Sequence, residues 1–252
     1  MKVSFVGAGP GDPELITVKA QRLLKNCRIC IYAGSLVSPA VLDLLPQDAE
    51  KHDSASLDLD EIVAIIRDAS RRDVDVVRVH SGDPSIYGAI REQMTELDRL
   101  GIEYDVIPGV SSFQAAAAAL KSELTAPEIA QTIILTRTSG RTPMPAEQDL
   151  EILAATRATL CVFLSAHKIE GVAETLARHY GRECPAAVVY RASWPDQQIV
   201  RGTLADIAEK VSAAGIRKTA MIVVGHALSR DVPASKLYDP AFTHEYRTGK
   251  EP

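Results

Sequence analysis

Cysteine is sparse in this chain, with four residues among 252, too few for a disulfide scaffold. Basic excess is missing too. Twenty-eight Lys and Arg stand against 33 Asp and Glu, a formal net charge of −5, which argues against a protein that coats DNA. No run of 18 uncharged apolar residues occurs, so no membrane span is expected. The first residues enter a strand-like run, Lys2-Val-Ser-Phe-Val6, with no leader pattern before it, and a cytoplasmic location is expected. What remains is ordinary globular composition, 46% hydrophobic and 24% charged, long enough for one large domain or two smaller ones.

Cys27 and Cys30 form a Cys-x-x-Cys. No second such pair and no nearby His-x-x-x-His completes a zinc set, so no metal is expected. The stretch Cys27-Arg-Ile-Cys-Ile-Tyr32 reads as strand, which predicts two buried structural thiols on opposite faces.

Short β-branched runs alternate with amphipathic stretches, the pattern of an α/β fold with mixed, mostly parallel sheets. Strands are expected at residues 3–6, 29–32, 74–80, 104–107, 132–135, 159–164, 187–190, 198–200 and 221–225. Helices are expected at 17–26, 39–45, 58–70, 85–100, 111–120, 149–155, 168–180 and 203–214. Asp58 followed by Glu61 is an N-terminal capping signature for the third helix. A polar zone at 121–131 suggests domains at 1–121 and 122–236, followed by a surface tail at 237–252. The segment 137–148, holding Gly140, Pro143 and Pro145, must be a loop, and its length suggests function.

Three strands run into loops of small residues. The first is Gly7-Ala-Gly-Pro-Gly-Asp12. It is not the dinucleotide fingerprint, because Asp12 takes the place of the sixth-position glycine and would oppose a pyrophosphate. The second is His80-Ser-Gly-Asp-Pro84 and the third Ile107-Pro-Gly-Val-Ser-Ser112. Loops past the carboxyl ends of parallel strands are where open α/β sheets bind ligands. Asp83 is a candidate acceptor there, or else the N-cap of the helix expected at 85–100.

In that order and spacing, the three loops resemble the tetrapyrrole (corrin/porphyrin) methyltransferase family. The likeness continues through residues 159–164, Tyr190-Arg-Ala-Ser-Trp-Pro-Asp196, Gly202-Thr-Leu204 and residues 219–225. It implies two α/β domains with S-adenosyl-L-methionine (SAM) in the cleft between them, and a homodimer. Carried over position by position, the SAM contacts are Gly9, Pro10, Gly11, Ser81, Gly82, Asp83, Ile86, Ser111, Ser112, Leu164, Ala192 and Ala220. Residues 136–143 and 190–196 most resemble members that methylate a ring carbon of precorrin-4. Uroporphyrinogen III, precorrin-2, the cobalt-containing precorrin and, more distantly, a protein side chain remain alternative acceptors.

A SAM methyl is already activated and the ring carbon is electron-rich. Alignment can therefore supply most of the catalysis, and no nucleophile or catalytic base is assigned. The implied substrate is a polycarboxylate. Arg137, Arg141 and Arg191 suit carboxylates through their two-pronged donors, and with Asp12 they are the candidate substrate-binding residues. Solvated loop arginines are the plain alternative. His80 and His167 border the loops, most simply as structural residues, and Trp194 is either a stacking ring or a loop anchor.

Overall fold

Residues 1–140 and 142–249 are described by the computed structural model of this chain. Arg141 and residues 250–252 lie outside them. Two compact units divide the chain: Met1–Ala115 with Arg191–Gln197, and Ala116–Tyr190 with Gln198–Pro252.

The first unit runs β1 (Lys2–Gly7), α1 (Val18–Lys25), β2 (Ile29–Tyr32), α2 (Pro39–Leu42), β3 (Glu50–Asp53), α3 (Leu59–Arg71), β4 (Val76–His80), α4 (Arg91–Leu100) and β5 (Glu103–Ile107). Its sheet has the order β3-β2-β4-β1-β5, and every pair in it is parallel. All five residues of β4 are buried, as expected of a central parallel strand covered on both faces. Val3, Phe5, Ile29, Ile31 and Val76 pack on one face against Ile62 and Ile66 of α3. Val6, Cys30, Val77 and Val79 pack on the other, against Ala20 and Leu24 of α1.

α5 (Ser112–Leu120) leads on to the second unit. There β6 (Ile133–Arg137), α6 (Leu150–Ala154), β7 (Thr159–Phe163), α7 (Ile169–Tyr180), β8 (Pro185–Tyr190), β9 (Gln198–Thr203), α8 (Ile207–Ala213) and β10 (Ala220–Val224) follow. The sheet order is β6-β7-β10-β8-β9. β6 and β7 are parallel, while β10 runs antiparallel to β7 and β8, and β8 pairs antiparallel with β9. Parallel pairs outnumber antiparallel ones across the two sheets, as the sequence pattern suggests, and every antiparallel pair falls in the second.

Several local expectations need correction. The helix expected at 85–100 begins only at Arg91, with Ile90 as its N-cap. Before it, Tyr87 and Ala89 sit at φ 56° and 49°, left-handed conformations that no helix includes. The helix expected at 203–214 starts at Ile207, because pairing with β8 carries β9 through Thr203. The charged edge strand β3, Glu-Lys-His-Asp, has no apolar signature and lies outside the expected strands. Cys27 precedes β2 and is not part of it. Both thiols lie in one apolar cluster and share a hydrogen bond that holds Cys27 below the usual thiol range and raises Cys30. They therefore do not point to opposite faces. The segment Arg191–Gln197, expected in the second domain, belongs with the first unit.

The capping signature of α3 is realised in full. Asp58 accepts from the Glu61 amide at 2.9 Å, and the Glu61 carboxylate accepts from the Asp58 amide at 2.9 Å. Asp58→Ala should cost about 1 kcal/mol, read as a lower urea midpoint with an unchanged slope; an unaltered midpoint would show that the cap contributes nothing.

Candidate functional site

Parallel register makes the rim of the first unit. Gly7 is level with His80, and Val6 with Ile107, so three loops leave the sheet side by side. The pairing continues past the strands: the Ala8 amide donates to the His80 carbonyl at 2.8 Å. Gly9 and Gly82 then exchange amide-to-carbonyl bonds at 3.2 and 2.8 Å. A Cβ on Gly109 would stand 2.2 Å from the Gly82 carbonyl oxygen, and one on Gly7 2.6 Å from the Gly109 Cα. No side chain fits at either position. These glycines let three backbones touch one another.

Asp83 staples the second loop to the third. Its Oδ2 accepts from the Gly109 amide at 3.0 Å, and its Oδ1 accepts from the Ser85 amide at 2.8 Å and from the Ser85 hydroxyl. Burial pushes its carboxyl up, but these hydrogen bonds outweigh burial and hold it below the usual carboxylate range. Asp83 is thus ionised at neutral pH, and it caps a tight turn, not a helix. Ser81 and Ile86 flank it, half-buried. In the third loop Ser111 is buried, and its amide donates to the Gln114 side chain at 3.0 Å. Ser112 opens α5.

Trp194 fixes the first loop. Its indole Nε1 donates to the Pro10 carbonyl at 2.8 Å. Its ring covers Gly11, where a Cβ would lie 2.1 Å from Trp194 Cδ1. The Asp12 amide donates to Ser193 Oγ at 3.0 Å, and the Asp12 carboxylate caps the turn at Pro13–Leu15 through the Glu14 amide at 2.8 Å. Arg191 lies 4.8 Å over the indole ring and pairs with Asp196 at 2.6 Å. Its guanidinium is engaged within its own segment. Ala192 is buried between Arg191 and Ser193, which sit at φ 45° and 70°. Left-handed backbone in residues other than glycine costs of order 1–3 kcal/mol and gathers at functional sites.

In the second unit, parallel pairing of β6 with β7 and antiparallel pairing of β7, β10, β8 and β9 set Arg137, Phe163, Ala220, Tyr190 and Gln198 along one end of the sheet. Leu164 follows Phe163 at φ 55°, with 65% of its surface exposed. A left-handed backbone at a bulky residue is uncommon and marks a turn under strain. Arg137 turns inward on its own loop, donating to the carbonyls of Thr138, Thr142 and Pro143 at 3.2, 3.1 and 2.9 Å. Ser165 Oγ accepts from the Thr138 amide at 2.9 Å and holds the same loop from below. His167 is exposed. Arg141 lies outside the described residues. The left-handed Leu164, Arg191 and Ser193 have no sequence signal, because none of these residue types favours φ > 0.

His80 is 4% exposed, and no described group reaches its Nε2. Burial, with Arg78 on the same strand, pushes it down to about 3. It stays neutral, which suits a structural residue and excludes a base working near pH 7.

Fold and rim define an α/β protein with glycine-lined strand tips and no dinucleotide fingerprint. Comparison with known proteins narrows this class. The sequence profile of the tetrapyrrole (corrin/porphyrin) methylases matches residues 2–208. Precorrin-4 C(11)-methyltransferase of Pseudomonas aeruginosa is 51% identical over 251 residues, 99% of this chain and 100% of that one. A cobalt precorrin-4 methyltransferase of cobalamin biosynthesis superposes with a TM-score of 0.88 at 44% identity, covering 90% of this chain and 96% of its own. Uroporphyrin-III C-methyl transferase from Thermus thermophilus, complexed with S-adenyl homocysteine, gives 0.76 at 32% identity, covering 90% and 99%. The chain belongs to the tetrapyrrole (corrin/porphyrin) methylase family.

Two outcomes follow from this geometry. Trp194→Phe keeps a ring over Gly11 but leaves the Pro10 carbonyl without its donor, and should cost about 1 kcal/mol in urea unfolding followed by circular dichroism. Trp194→Ala should cost at least twice as much, and equal stability of all three proteins would remove the anchoring role. His80 titrates near 6.5 unfolded and about 3 folded, so only the unfolded chain takes up its proton between those values. Stability therefore drops as pH falls below 6.5. His80→Gln should lose less unfolding free energy than the wild type between pH 7.5 and 5, and parallel pH profiles would refute this.

Proposed function

We propose that this chain is a SAM-dependent methyltransferase that adds a methyl group to ring carbon C11 of precorrin-4, giving precorrin-5, in cobalamin biosynthesis. The observation that carries this reading is 51% identity along essentially the full length of a precorrin-4 C(11)-methyltransferase. The neighbour at TM-score 0.88, a cobalt precorrin-4 methyltransferase, favours a second form of the substrate, cobalt-precorrin-4.

The chemistry of the rim suits a cationic donor. The stretches 7–12, 81–85 and 108–112 contain no Lys or Arg, yet carry the carboxylates of Asp12 and Asp83. Such a rim repels a pyrophosphate and tolerates a sulfonium with its ammonium group. In the first unit the residues for SAM are Gly9, Pro10, Gly11, Ser81, Gly82, Asp83, Ile86, Ser111, Ser112 and Ala192. In the second they are Leu164, whose exposed side chain suits the adenine, and Ala220. When bound, SAM supplies a methyl group made electrophilic by its sulfonium.

The protein's part is alignment. Trp194 holds Pro10 and Gly11 in place, and Asp83 ties the second loop to the third, so a bound donor meets backbone that is already ordered. Such preorganisation can lower a barrier by about 7–11 kcal/mol in favourable cases. No side chain need act as nucleophile, and the ring proton lost after attack can leave to water or a substrate carboxylate. The reading includes a cytoplasmic homodimer that binds neither nucleic acid nor membrane; among the described residues no helix is long and apolar enough to cross a bilayer.

The test is incubation with methyl-labelled SAM and, separately, precorrin-4, cobalt-precorrin-4, precorrin-2 and uroporphyrinogen III. The expected result is S-adenosylhomocysteine formation only with a precorrin-4, with NMR placing the label at C11. Label on uroporphyrinogen III or precorrin-2, or no turnover with any tetrapyrrole, would overturn the assignment.

A further inference from the structure

A polycarboxylate substrate needs cations, and the two described arginines that the sequence pointed to are engaged elsewhere, Arg141 lying outside the described residues. Arg137 donates to three carbonyls of its own loop, and Arg191 is held by Asp196 and Trp194. The rim of the first unit is acidic. Two other cations stand at the end of the second sheet that carries Leu164 and Ala220.

The turn after α8 puts them there. Gly215 sits at φ +68°, its amide donating to the Ser212 carbonyl at 3.0 Å, and the Ile216 amide donates to the Val211 carbonyl at 3.2 Å. This double closure is the Schellman ending of a helix, with an apolar contact between its last turn and the residue after the glycine. Ile216 and Val211 supply that contact inside the core. With Ile216 buried, Arg217 and Lys218 emerge exposed, and Thr219, at φ 54°, returns the chain to β10 at Ala220. Among the described residues neither Arg217 nor Lys218 meets a carboxylate or any other partner. The side chains open onto a groove of about 510 Å³ between this turn and the cross-strand pair Tyr190–Gln198. Tyr190 is also level with Ala220, so the groove adjoins a position matched to the methyl donor.

We propose that this groove is a carboxylate subsite, in which Arg217 and Lys218 take the acetate and propionate arms at one edge of the tetrapyrrole. The volume lies within the range of small-molecule sites and accommodates one pyrrole edge with its arms, not the whole macrocycle. Arg217 offers a planar two-pronged donor and Lys218 a compact charge. Tyr190 supplies an aromatic wall. The inference rests on the tetrapyrrole reading above. The plainer role for two cations past a helix C-terminus is to offset the helix dipole, and it predicts a different outcome.

Steady-state kinetics of Arg217→Glu and Lys218→Glu, each varied in SAM and in precorrin-4, separate the roles. Each reversal should raise the KM for the tetrapyrrole about ten-fold, the scale of a charge-assisted contact, while the Kd for SAM by calorimetry stays at the wild-type value. Arg217→Lys and Lys218→Arg should restore most of the affinity. Salt near 1 M, where screening acts within about 3 Å, should narrow the gap. Titration of uroporphyrin, a stable polycarboxylate probe, should show the same ranking without turnover. Unchanged KM in a wild-type-like, active variant would overturn the subsite, as would SAM affinity falling in step with tetrapyrrole affinity or a lowered melting temperature with no change in either. If the wild type turns over no precorrin yet binds uroporphyrin and the reversals weaken it, the subsite stands and the assigned reaction falls.

Discussion

Everything at the rim of the first unit depends on backbones touching without side chains between them. Parallel register brings β1, β4 and β5 to one level, and the loops that leave them close on each other through Gly7, Gly9, Gly82 and Gly109. A methyl at Gly109 would overlap the Gly82 carbonyl, and close-packed interiors do not absorb such an overlap cheaply. The contact precedes any ligand, because it decides where the amides, Asp83 and the serines point.

Charge is divided between the two units. The strand tips of the first carry carboxylates and no cation, with Asp83 kept ionised by hydrogen bonds that overcome its burial. The second unit places unpaired cations at its sheet end. A reaction between a cationic donor and a polyanionic acceptor calls for such a separation. The net charge of −5 describes neither locality.

Strain marks the same places. Leu164, Arg191, Ser193 and Thr219 all adopt left-handed backbone; Leu164, Arg191 and Thr219 each adjoin the end of a strand that reaches a candidate site, and Ser193 lies two residues past Arg191. Trp194 shows what supports the strain: a hydrogen bond to Pro10, packing on Gly11 and a guanidinium over its ring. Ala192, a single buried methyl, is presented by the two strained residues around it.

Much of this was legible from sequence where the signal is local. Alternating apolar runs gave nearly every strand, Asp58 with Glu61 marked a helix start, and the three glycine loops in order carried the family. Signals failed where local chemistry says nothing. β3 is Glu-Lys-His-Asp and is a strand only because β2 lends it a hydrogen-bonding edge. Residues 85–90 are helix-compatible in type but are held off by left-handed Tyr87 and Ala89. Cys27 and Cys30 meet because the chain turns between α1 and β2. The sequence by itself determined the elements, the glycine-lined tips and the chemistry the chain belongs to, since periodicity, caps and motifs act over a few residues. Only the tertiary structure decided which arginine is spent on its own loop, which tryptophan clamps which glycine and which cations stay unpaired. Those are contacts between residues far apart in the chain, and no spacing along it encodes them.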